Sequence, residues 1–208
     1  MEYPLSYVLT VLSVFAAMAL LRRFLDVLPD IIRSLMRPRS GASLENNVTL
    51  SNDRNLVAMS LVVPFILIAY RYQLYNPRFI ADAGDNLRLA LIAAVFAGYV
   101  ILRQLIYVWV RPRRRGDVLR TAHRSAYTHF IILTLTLLFV SGVCVVTGVP
   151  DGATGTVLGV ATAVVFVLYL SRFAQILSLS CNQLRTFLYL CTLEILPASL
   201  LVASALVF

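Results

Sequence analysis

The residue best placed to do chemistry in this chain is an acid inside an apolar run. Glu194 stands in "RTFLYLCTLEILPASLLVASALVF", residues 185–208, where every other position from Phe187 onward suits a lipid interior. It lies nine residues beyond Arg185, which is about 13 Å along a helix. Arg103 lies eight residues before Arg111, or about 12 Å from the same face. Both depths approach the midplane of a hydrocarbon core about 30 Å thick. Opposite charges at one depth, each costing about 3 kcal/mol or more alone, are expected to meet. The chemistry on offer is an intramembrane ion pair that binds a proton or a substrate, or that only sets helix register. Gln104 and Tyr189 are candidate further partners. Two alternatives stand beside the pair. Arg103 could snorkel to the headgroups, or Glu194 could be protonated and bonded to a backbone carbonyl such as that of Ser60.

A second set of polar residues suits lipid headgroups. Arg172 and Gln175 open a polar segment, residues 171–186, that reads either as an interfacial helix or as an extension of the fifth span. Arg111, Arg113, Arg114 and Arg115 in "RPRRRGDVLR" would attract anionic lipid at about 1 kcal/mol per arginine. Topology alone accounts for that run without a specific ligand.

Other chemistries find no residues. The two histidines, His123 and His129, both fall near one end of a single span, whereas haem between helices wants deep histidines on facing spans. Metal binding needs a cluster of His, Cys, Asp or Glu, and Cys144, Cys181 and Cys191 show no paired spacing. No glycine loop for phosphate and no nucleophile elbow occurs. The expectation is therefore no cofactor and no metal. All 18 basic residues are arginine and the net charge is +8, but in so apolar a chain this reflects membrane topology and not nucleic-acid binding.

These residues need elements to position them. The chain has 208 residues, 60% hydrophobic and 13% charged, against about a quarter charged in soluble domains. The apolar residues come in six blocks, so the expected fold is all-α, a polytopic integral membrane bundle of six transmembrane helices forming one domain over residues 1–208. The spans are expected at about 3–21, 55–70, 87–110, 127–149, 154–170 and 187–208, with a loop over 22–54. In that loop "FLDVLPDIIRSLM" suits an interfacial helix interrupted by Pro29. Charge follows the apolar run of the first span, the reverse of a signal peptide. Fifteen arginines fall on one side of these spans or beside it, and three on the other. The positive-inside rule places the arginine-rich loops in the cytoplasm and both termini outside. "NVT" at 47–49 and "RGD" at 115–117 then lie on the inner side and carry no glycosylation or adhesion role. Three plus three spans permit an inverted repeat, but Pro64 in span two has no counterpart in span five.

Within the spans, Ala90, Ala94 and Gly98, and Gly155 and Gly159, recur at four-residue spacing, which suits close helix packing. Pro64 and Pro197 are the candidate kinks, Pro64 depriving the Ser60 carbonyl of its donor.

The segment "FLYLCTLEILP", residues 187–197, resembles the C-terminal signature of a bacterial family of multi-span membrane proteins of unknown function, through Tyr189, Leu190, Cys191, Glu194 and Pro197. The resemblance implies a bacterial cytoplasmic membrane and groups Glu194 with Pro197; it transfers no catalytic role. The leading expectation is a small carrier or an accessory subunit of a membrane assembly, with the bilayer, anionic lipids and a membrane-protein partner as its contacts. The alternative is an enzyme acting on lipid headgroups at the cytoplasmic face.

Overall fold

A computed structural model describes residues 5–36, 48–77, 84–110, 116–178 and 183–207. The described segments are helical: α1 (Leu5–Met36), α2 (Val48–Ser60), α3 (Val62–Arg71), α4 (Asp85–Val110), α5 (Gly116–Val146), α6 (Asp151–Ser178), α7 (Gln183–Leu190), a π-helical turn (Cys191–Ile195) and α8 (Leu196–Val207). Six stretches are long and apolar enough to cross a membrane: Ser6–Pro29, Ser51–Arg71, Asp85–Trp109, Ser125–Val146, Asp151–Ser178 and Thr186–Ala205.

Spans two to six close into a ring in the order two, three, six, five, four, and α1 packs outside it, chiefly against span two. Three rings join spans two, three and four: Phe65, Phe96 and Phe130 lie 5.1, 5.4 and 5.8 Å apart between centroids. Mutual aromatic contact at 4.5–7 Å, about the separation that ring quadrupoles favour, locks these helices laterally.

The first connection differs from its expected form. α1 does not stop at Arg22 and Arg23 but continues as helix through Pro29 to Met36. Arginine is a good helix former, so charge ends the membrane-facing part of a helix without ending the helix. The stretch expected to lie on the inner leaflet packs instead, with Val27 and Ile31 buried against Val57, Ala58 and Ile131. Arg23 reaches Asp53 at 3.3 Å, tying this part of α1 to the start of span two. Arg54, assigned to the loop, is 2% exposed and donates to Ser51 and Asn55 on its own helix. At the other end of the chain's polar stretches, α6 runs on to Ser178, so much of the segment after residue 170 extends span five. "NVT" at 47–49 straddles the edge of the described residues, and so does "RGD" at 115–117, of which Gly116 and Asp117 begin α5.

Span two is interrupted close to its proline. The helix breaks at Leu61, one turn before Pro64, with ordinary bonds from Leu61 N to Val57 O and from Phe65 N to Leu61 O on either side. The pyrrolidine ring opposes the Ser60 carbonyl, which loses its donor.

The α5–α6 turn is closed by Gly148 at φ +70. Gly148 N–H donates to Val145 and Val149 N–H to Cys144, the paired bonds of a Schellman end, for which a left-handed residue is needed. Gly155 has a different task. A Cβ there would lie 2.9 Å from the Tyr72 carbonyl oxygen, so the small residue lets the end of span two rest on span five. Gly98 and Gly159 would meet nothing within 4 Å, and Ala90, Ala94 and Gly98 are exposed. Their four-residue spacing therefore does not serve packing among the described residues.

Candidate functional site

The last span is where the geometry departs most from a plain helix. Pro197 lacks an N–H, and in α register its ring would press on the carbonyl of Leu193. The chain relieves this by widening: Leu196 N–H donates to the Cys191 carbonyl, five residues back, and Cys191–Ile195 forms a π turn. A π turn inserts one residue, which rotates the remainder of the span by about 100° relative to an unbroken helix. Glu194 lies inside this turn and is 2% exposed. The expected kink at Pro197 thus takes the form of a widened turn that carries the acid.

Arg103 of α4 meets it. Nη2 of Arg103 donates to Oε1 of Glu194 at 2.6 Å, and Nε donates to both carboxylate oxygens at 3.2 Å. The arginine side chain is 13% exposed. Two guanidinium nitrogens on one carboxylate make a charge-assisted, geometrically specific contact, stronger than a neutral hydrogen bond. The guanidinium therefore turns to the acid and not to the headgroups, and the acid has an ionic partner in place of a backbone carbonyl.

A third helix completes the arrangement. Arg103 Nη2 also donates to the Tyr169 hydroxyl of α6 at 2.9 Å. Tyr169 is buried with Tyr107, Phe173, Leu177 and Leu193 in an apolar cluster. Tyr99, one turn before Arg103, is near enough to interact electrostatically with both charges. Three spans, the third, fifth and sixth, thus converge on one carboxylate. In a site of low polarity, breaking such a pair by removing one partner costs about 3–5 kcal/mol, because the other charge is left alone.

The remaining expected site residues fall elsewhere. Gln104 is half-buried next to Arg103 in the chain, and Tyr189 packs against the edge of the Tyr169 cluster. Among the described residues neither joins the hydrogen bonds of the pair. Arg172 Nη1 donates to Gln175 Oε1 at 3.1 Å, three residues along α6. Arg111, Arg113, Arg114 and Arg115 lie outside the described residues. Tyr169 and Tyr99 are the site residues that sequence reasoning missed. A tyrosine three residues before Arg172 reads as an interfacial aromatic, and nothing in its spacing says that its hydroxyl meets a guanidinium on another helix.

Chemically, the arrangement is a neutral, closed pair with one titratable member. Adding a proton to the carboxylate frees a guanidinium that an anion can then occupy. No curated protein and no solved structure matches the chain. A family model described as a domain of unknown function, DUF4271, matches residues 6–204, and the chain, with its six helices long and apolar enough to cross a membrane, therefore belongs to that family.

Proposed function

We propose that this protein is a small membrane carrier whose working part is the Arg103–Glu194 pair. The observation that carries the reading is a carboxylate 2% exposed, held by two nitrogens of one arginine inside a π turn. Ionisable groups at this depth are costly, and pairs of them often mark proton or substrate pathways. π turns likewise recur at functional sites. In the cycle, Glu194 gains a proton, the pair opens, and the guanidinium accepts an anion or waits for the carboxylate to return. The protein sits in a bacterial inner membrane with both termini outside and its arginine-rich ends in the cytoplasm, where anionic lipids meet them.

Proteoliposomes with a trapped pH-sensitive dye test this reading. The native protein should carry protons inward under an imposed gradient, and Glu194→Gln should abolish the signal. A silent native protein, or a Glu194→Gln variant at the native rate, overturns it.

A separate observation favours an accessory subunit as the second reading. Ala90, Ala94 and Gly98 form an exposed strip of small residues on α4, the kind of surface on which another helix settles closely. A stable partner should then co-purify in mild detergent, and a monodisperse lone chain counts against it. The headgroup-enzyme reading needs Arg172 and Gln175 turned toward a cavity, whereas they bond to each other.

A further inference from the structure

One half-buried base adjoins the pair without entering it. His129 is on α5, and its Nδ1 lies 2.9 Å from the carbonyl oxygen of Ser125, one turn earlier. A carbonyl only accepts, so in the neutral ring the hydrogen is on Nδ1 and the lone pair is on Nε2. That Nε2 is buried and has no hydrogen-bond partner among the described residues. Buried polar atoms almost always find partners, so an orphaned one calls for a reason. The imidazole packs against the ring of Tyr169 at 4.9 Å between centroids, tilted by 56°. Tyr169 is the same residue whose hydroxyl takes a hydrogen bond from Arg103. A base with a vacant lone pair therefore lies one aromatic ring away from the ion pair.

Its position along the bundle is also directional. His129 comes five residues after Arg124, about 7 Å along α5, so it lies nearer the arginine-rich end than the pair does. The titratable and charged groups bearing on it are Tyr169 and Arg172, both from α6, with Arg103 of α4 behind Tyr169.

We propose that His129 Nε2 is a proton-binding site that serves the Arg103–Glu194 pair from the arginine-rich end, with Tyr169 as the link. The onward step rests on the carrier reading above. A proton from water adds to the Nε2 lone pair while Nδ1–H stays on Ser125, giving an imidazolium against the Tyr169 ring. Transfer then breaks the Nε2–H bond as the Tyr169 hydroxyl oxygen takes that proton, and the hydroxyl's own O–H bond breaks as a carboxyl O–H forms on Glu194. One proton moves, the imidazole returns to its neutral tautomer, and Arg103 is left as a free cation beside a neutral acid.

Magnetic resonance of the full chain in lipid bilayers, with ¹⁵N in histidine and arginine, reads this site directly. His123→Gln leaves His129 as the sole histidine. Near neutral pH, Nδ1 should be protonated and Nε2 bare. Acidification should place a hydrogen on Nε2, and the Arg103 Nε signal, identified by its loss in Arg103→Gln, should shift over the same pH interval. Tyr169→Phe should uncouple the two shifts. If His123→Gln does not fold, the native chain serves, its His129 signal recognised by contacts to the Tyr169 ring protons. An Nε2–H tautomer at neutral pH, or an Arg103 signal that stays still while His129 titrates, overturns the proposal. In the dye experiment, His129→Asn should slow proton uptake at least tenfold. A chain that shows coupled shifts but moves no protons sinks the carrier reading and leaves the proton site standing. Flux at the native rate in His129→Asn sinks the relay alone.

Discussion

Among the ion pairs that join helices in the described residues, two could hardly differ more in setting. Arg103 and Glu194 lie 2.6 Å apart with side chains 13% and 2% exposed. Arg71 and Asp151 lie 3.6 Å apart at the ends of spans two and five, with side chains 69% and 68% exposed. The first pair has no water to fall back on, so each charge depends on the other. In the second, each charge is hydrated whether or not it is paired, and salt screens the attraction. Pairing alone therefore says little about importance; what decides is the cost of being left single.

That contrast predicts a graded series of losses in unfolding free energy, measured by titrating detergent-solubilised protein with a denaturing detergent. Glu194→Ala strands a buried guanidinium and should cost about 3–5 kcal/mol. Replacing both partners, as Arg103→Leu with Glu194→Leu, should recover most of that. A double variant as weak as the single one would break the comparison by showing that the pair itself holds the fold.

Tyr169→Phe removes one hydrogen bond to a charged donor and should cost about 2 kcal/mol. A change near zero would mean that Arg103 is satisfied by Glu194 alone. Gly155→Ala forces a Cβ to within 2.9 Å of the Tyr72 carbonyl, and overpacking of this kind should cost about 1–3 kcal/mol. It sharpens the contrast, because it acts where spans two and five meet, near the exposed pair, through sterics and not charge. Asp151→Asn should cost less than about 1 kcal/mol and become undetectable at high salt. A loss rivalling that of Glu194→Ala would erase the distinction between the two pairs.

The two prolines repeat the lesson in backbone form. Pro64 and Pro197 are both legible as helix disturbances, since each removes a donor and crowds the carbonyl four residues earlier. Span two answers with a break at Leu61, and span six with a π turn over Cys191–Ile195. The choice between them depends on neighbours. In span six the widened turn carries Glu194 to face Arg103, where leaving either charge alone costs about 3–5 kcal/mol.

What the residues alone determine here is everything that water and lipid enforce locally. Six apolar stretches must become helices, since a lipid interior leaves no other way to satisfy the backbone. Glu194 and Arg103 share a depth because depth is only a count along each helix. Azimuth is different: which way a side chain faces depends on how helices pack around one another. Tyr169, His129 and Arg54 show this, as none carries a spacing signal for the company it keeps. The packed length of α1 beyond Arg23 was hidden for the same reason, since Val27 and Ile31 declare their burial only once Val57 and Ile131 stand beside them. Tertiary structure decided these matters because side-chain contacts across helices are set by rotation and crossing, and a linear chain records neither.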